Sequence, residues 1–172
     1  MILSTILFFR WFIISSNPYI PRPVLLFISL NFSQTFDPNT GEIKSRLLVG
    51  TIGAGVGNTG SAVMIDKDKI LLIGGRQINY LPSNHVHLID VSNTDNPKII
   101  PLSKMHFGRS DADALILPDG NVLVHGGHSY TDKEFTILTP EIYDVNTNKW
   151  TKLSPGTMRR NYHSSSLFPL SP

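Results

Sequence analysis

The sequence predicts an all-β fold built from repeated four-stranded antiparallel sheets. Three observations lead there: a repeat of about 53 residues, short apolar runs separated by turn chemistry, and no segment with helical periodicity and caps. The repeat rests on four landmarks. Asp37, Asp90 and Asp144 recur at spacings of 53 and 54, each followed by an Asn- or Thr-rich turn. Gly74-Gly75 and Gly126-Gly127 lie 52 apart, Met105 and Met158 53 apart, and Arg109 and Arg160 51 apart.

Within a period the elements come in a fixed order. "SAVMI" and "ILLIGG" flank the turn "DKDK", and "DALIL" and "VLVHGG" flank "PDGN". Pro118 fixes φ and Gly120 permits a positive φ, so each pair reads as a hairpin. Val, Ile and Leu fill these strands, as in sheets covered on both faces. A third strand follows a longer loop ("HVHLID", "PEIYD"), and a fourth follows the Asn-Thr turn ("PKIIPL", "NKWTKL"). Four antiparallel strands with a Gly-Gly pair closing the second describe a kelch-type β-propeller blade. The glycines permit a close approach to the neighbouring blade. Trp150, Ile99 and Ile43 are expected to pack between blades. The sequence thus reads as a propeller fragment: the outer part of one blade at 33–48, full blades at 58–104 and 109–153, and the start of another at 160–168. About two and a half blades cannot close a ring of four to eight, so the chain is expected to belong to a larger protein.

Residues 1–32 differ from the rest. All 13 glycines lie beyond residue 40, whereas "MILSTILFFRWFIISS" is apolar and prolines follow at 18, 21 and 23. The segment reads either as a secretion signal or anchor, or as an extension foreign to the propeller at 33–172. Arg10 interrupts the apolar run and no basic n-region precedes it. No stretch supplies the 18 apolar residues of a clean membrane span. Asn31-Phe32-Ser33 fits a glycosylation sequon.

Composition excludes several functions. The formal charge is +2, and both excess positive charges are Arg10 and Arg22. The remainder is balanced, which gives no reason to propose a nucleic-acid partner. With no cysteine, the chain has no disulfide, zinc-thiolate site or thiol nucleophile.

The stretches "GSAVMIDKDKILLIGG", "ALILPDGNVLVHGGHS", "TPEIYDVNTNKW" and "RRNYHSSSL" resemble the galactose oxidase and glyoxal oxidase family of copper radical oxidases. The likeness runs from about Thr35 to Leu167. It implies a seven-bladed propeller followed by a C-terminal β-sandwich, in an extracellular enzyme that oxidises a small alcohol, sugar or aldehyde with oxygen and releases hydrogen peroxide. Carried over, Tyr162 is the axial tyrosine, a catalytic residue and copper ligand, and His163 is an imidazole ligand. The family's second tyrosine, its cross-linked cysteine and its second histidine have no counterpart here. The isolated chain is therefore expected to hold copper weakly and to show no oxidase activity. The missing blades and the β-sandwich domain are its expected partners.

The residues also leave a different class open, a non-catalytic propeller that presents loops to proteins or sugars, as well as an incomplete product with no function of its own. Other histidines and acids read as structural. His125 is expected to end a strand, with His128 on the next loop. His85 and His87 share a strand face and are expected to be solvent- or loop-exposed. Asp111 and Asp113 share a face if extended, one of them bonding turn amides. "GTIGAGVGNTG" reads as a connecting loop between blades.

Overall fold

The computed structural model describes residues 10–14, 24–28, 33–36, 40–47, 59–77, 81–93, 98–129, 135–162 and 164–167. Twelve strands among them form three four-stranded antiparallel sheets, and the described residues include no helix. The first sheet joins β1 (Arg10–Ile14), β2 (Val24–Ile28), β3 (Ser33–Phe36) and β4 (Ile43–Leu47). The second joins β5 (Ser61–Asp66), β6 (Lys69–Ile73), β7 (Val86–Asp90) and β8 (Lys98–Pro101). The third joins β9 (Ser110–Ile116), β10 (Val122–His128), β11 (Glu141–Asp144) and β12 (Lys149–Lys152).

The sequence reading and the structure differ in the first sheet. β1 and β2 lie before residue 33, yet β2 pairs with β3 from Leu25↔Phe36 to Ile28↔Ser33, and β1 pairs with β2. Strand pairing therefore crosses the boundary drawn from composition. The half-blade expected at 33–48 gains two strands. Among the described residues, no helix is long and apolar enough to cross a membrane.

Turn chemistry sets the hairpins. Between β9 and β10, Gly120 takes φ +84°, its amide donates to Leu117 O at 2.9 Å, and Asp119 Oδ1 accepts from Asn121 N at 3.0 Å. The recurring aspartates open the turn to each fourth strand. Asp90 Oδ1 accepts from Ser92 N at 3.0 Å; Asp144 Oδ1 accepts from Asn146 N at 2.9 Å and Thr147 N at 3.1 Å. Both carboxyls sit below the usual aspartate range, chiefly through side-chain hydrogen bonds from Ser92 and Thr147. Asp37 lies outside the described residues.

Two apolar layers cover the second sheet. Ile70, Leu72, Ile89 and Val91 form one face, with Ile99 packed against them. Leu71, Ile73 and Val86 point the other way and meet Val122, Val124 and Tyr143 of the third sheet, with Met105 between. Each such side chain, taken fully from water, contributes about 1.5–3 kcal/mol. Trp150 packs in this second layer, 5.1 Å from Tyr143, and its indole N–H donates to Ser103 O at 2.9 Å. It bridges two sheets, as expected. Ile99 stays within the layer of its own sheet, and the side chain of Ile43 lies outside the described residues.

The sheets join at the Gly-Gly pairs. Gly75 N donates to Arg109 O at 2.7 Å, and one repeat later Gly127 N donates to Arg160 O at 2.9 Å. A Cβ on Gly74 would meet Arg109 O at 2.7 Å, and one on Gly127 would meet Ser110 O at 2.6 Å; both residues have positive φ. Arg109 is also buried through its side chain. Its guanidinium donates to Gly126 O at 2.8 Å and to Glu141 Oε1 at 3.1 Å. Glu141, wholly buried, also accepts from the amides of His106 at 2.8 Å and Phe107 at 3.3 Å.

Three outcomes follow for stability. Glu141→Ala strands a buried guanidinium and should lower the unfolding free energy by about 3–5 kcal/mol in urea titrations. Gly120→Ala meets open space at φ +84° and should cost about 1–2 kcal/mol, the penalty of a left-handed non-glycine. Gly127→Ala should cost clearly more, because a carbonyl blocks the Cβ.

Candidate metal centre

Tyr162 sits where the next inner strand would begin. Two residues before it, Arg160 O takes the amide of Gly127, as Arg109 O takes that of Gly75. In this register Tyr162 stands where Asp111 stands one repeat earlier. The backbone around it is held locally: Asn161 Oδ1 accepts from Tyr162 N at 2.8 Å, and Asn161 O accepts from Ser164 N at 2.8 Å. The segment that follows is clipped to the third sheet. Ser164 Oγ donates to Asp113 Oδ2 at 2.6 Å, and Ser166 Oγ bonds His125 Nε2 at 2.5 Å. Tyr162 itself is half exposed, with relative accessibility of 50%. His163 lies outside the described residues.

A half-exposed tyrosine, followed in sequence by a histidine, is a donor pair that suits Cu(II). Among the described residues no group of three or more His, Cys, Asp or Glu is placed to hold a metal. The donor chemistry therefore fits copper, and the described side chains alone do not complete its coordination.

The preceding repeat shows the same position used structurally. Asp111 takes a left-handed φ of +56°, and its amide donates to Thr59 O at 2.9 Å. Its Oδ2 lies 2.8 Å from His128 Nε2 and 3.9 Å from Arg76 Nη2. Arg76 Nε also donates to Ser110 Oγ at 3.2 Å. The sequence reading missed this cluster. It put His128 on a loop, whereas His128 closes β10 and is buried. It also had Asp111 or Asp113 bonding turn amides. Instead each carboxylate holds a side chain, His128 for one and Ser164 for the other, because the left-handed residue breaks the alternation that would put both on one face. Of the loop "GTIGAGVGNTG", residues 50–58 lie outside the described residues.

The other histidine pair also differs from expectation. His87 is buried, at 8% accessibility, while His85 is partly covered. Burial, aided by the neighbouring His85, holds His87 down to about 4; it is neutral at physiological pH. The Arg109–Glu141 pair was likewise invisible. Its one sequence signal is the recurrence of the arginine at 51 residues.

No protein-family model matches the chain. A galactose oxidase of Gibberella zeae is 30% identical over 118 residues, which cover 63% of this chain and 17% of that protein. A solved structure of a fungal alcohol oxidase of the AA5 family, in complex with copper, superposes with a TM-score of 0.69 at 25% identity. That match covers 83% of this chain and 31% of the oxidase. The chain thus spans less than a third of either relative. Stacked four-stranded antiparallel sheets, joined by glycine-to-carbonyl bonds, define an all-β propeller fragment. Within that class the chain is similar to galactose oxidase and to a copper-bound fungal alcohol oxidase.

Asp111 supplies a check on the site's architecture. Asp111→Ala removes the acceptor of a buried imidazole and should destabilise the protein by about 2 kcal/mol. Asp111→Asn keeps an acceptor and tolerates the left-handed backbone, so it should cost less than half as much by thermal or urea unfolding.

Proposed function

We propose that this chain is part of a copper oxidase that converts a small alcohol, sugar or aldehyde and passes the electrons to oxygen, forming hydrogen peroxide. For an alcohol, two electrons and two protons leave the substrate carbinol, and oxygen takes up both pairs. The observation that carries this reading is the half-exposed Tyr162, two residues after the Arg160 carbonyl that takes the Gly127 amide, in a chain similar to a copper-bound alcohol oxidase.

Tyr162 Oη and the imidazole of His163 would hold the metal. Copper, when bound, supplies a one-electron redox centre. As a copper ligand Tyr162 would be a phenolate, and its oxygen would serve as the base for a substrate hydroxyl. Asn161 and Ser164 fix the main chain on either side of the pair, which limits the directions the phenol can take.

Two features support the reading that further sheets complete the propeller. Leu123, His125 and Ile142 are half-buried on the outer face of the third sheet. Their counterparts one repeat earlier include Leu71 and Ile73, which the third sheet covers completely. Arg160 is exposed, whereas Arg109 at the same place is buried against Glu141. A following sheet would cover that face and bring a carboxylate to Arg160. A location outside the cell fits the same reading, in line with the sequon at Asn31.

Copper binding and peroxide release test the proposal. The chain as it stands should bind Cu(II) weakly and release no peroxide with galactose or glyoxal. Tyr162→Phe should weaken Cu(II) binding by at least about tenfold, the scale of losing a metal-site partner, as measured by equilibrium dialysis. Tyr162→Phe binding Cu(II) as well as the parent, or oxidase activity from the parent alone, would count against this assignment.

A further inference from the structure

A second histidine pair lies apart from Tyr162 and has chemistry of its own. His87 sits on β7 opposite Leu72 of β6 and Pro101 of β8. His85 precedes the strand and is anchored at both ends of its peptide. Its carbonyl accepts from Gly74 N at 3.0 Å, and its amide donates to Ser83 Oγ at 3.0 Å. Two residues apart in extended chain, both imidazoles emerge on one side. Their ring centroids are 6.3 Å apart, with planes at 73°.

His87 Nδ1 is buried and has no hydrogen-bond partner. Leaving such an atom unsatisfied costs about 1–3 kcal/mol, and an orphaned buried nitrogen points to an occupant such as water or an ion. The surroundings narrow the choice. Leu72 and Pro101 flank His87 in register, and the ammonium of Lys104 acts electrostatically on His85. An apolar wall and a nearby positive charge disfavour a dication.

The spacing admits an ion between the rings. Metal–nitrogen bonds of about 2.0 Å, with about 1.1 Å more from nitrogen to ring centre, put two opposed imidazole centroids about 6.2 Å apart. Linear coordination leaves the rings free to rotate about the nitrogen–metal–nitrogen axis, so planes at 73° are compatible with it. We propose that His85 and His87 clamp a single copper(I) ion between them in two-coordinate, near-linear geometry. Copper(I) has a filled d shell and a single charge, and it is satisfied by two imidazoles where zinc(II) requires four donors. This inference does not depend on Tyr162.

The test is competition for copper(I) supplied as its bicinchoninate complex under ascorbate, using the full chain. The parent and Tyr162→Phe should each withdraw one equivalent, and X-ray absorption should show two nitrogen neighbours. His87→Leu and His85→Leu should each compete at least tenfold less well. His85 is partly exposed, so its variant keeps the test valid if His87→Leu fails to fold. Undiminished competition by the folded histidine variants would overturn the proposal, as would a coordination number of three or more. So would zinc(II) displacing copper(I) from the pair. Loss of the equivalent in Tyr162→Phe alone would assign the ion to the other site and also overturn it.

Discussion

The structure depends on one repeated bond: the amide of the second glycine in each Gly-Gly pair donating to the carbonyl of the arginine that follows its sheet. It occurs at Gly75 with Arg109 and again at Gly127 with Arg160. The bond forms only where two consecutive residues of the chain lack side chains. Any Cβ at Gly74 or Gly126 would lie 2.7 Å from that carbonyl. The glycines are therefore a condition for stacking sheets, more than a relaxation of turn geometry. Once the bond forms, the inner strands β5 and β9 lie side by side, and Ser61 Oγ reaches Ala112 O across the junction. Every residue at the head of an inner strand inherits its place from this bond.

The same arginine links a second interaction to the first. Its carbonyl serves the preceding sheet while its guanidinium serves its own, through Gly126 O and Glu141. Glu141 in turn holds the amides of His106 and Phe107 in the connection between the sheets. Burying such a pair costs desolvation that its Coulombic attraction only partly returns. Its net contribution to stability is small compared with the loss when one partner is removed. What the pair enforces is register: the third strand of a sheet can sit at only one height relative to the junction behind it. Arg109 is correspondingly held below its ordinary range by burial, with Glu141 opposing that shift.

Local chemistry made much of this legible. The hairpin at Pro118–Gly120 and the aspartate-led turns at Asp90 and Asp144 bond within a few residues, so their sequence carries their geometry. The glycine pairs and the arginines were visible as a period. Strands β1 and β2 were not. They lie in a glycine-free apolar segment, which composition alone suggested was a signal, an anchor or a foreign extension. Contacts across sequence were equally hidden. Asp111 and His128 are 17 residues apart and Arg109 and Glu141 are 32 apart, and no local pattern links them. Nor does alternation say which face is covered, so His87 was expected outside and is found inside. Tyr162 was singled out only through likeness to a family; its backbone geometry could not be read from composition.

The contrast between Asp111 and Tyr162 shows how such a repeat acquires a site. Both follow the junction arginine by two residues, and main-chain bonds fix both locations. The side chain takes no part in those bonds, so it can change without disturbing the stack. In one repeat it is a carboxylate, turned by a left-handed backbone onto a buried histidine and a neighbouring arginine. In the next it is a phenol, half open to solvent, its amide held by Asn161. The first spends its polarity inside the fold. The second keeps a half-exposed phenol on a backbone already held by hydrogen bonds. A propeller can therefore place reactive groups at the heads of its inner strands while glycine and arginine keep the geometry constant beneath them.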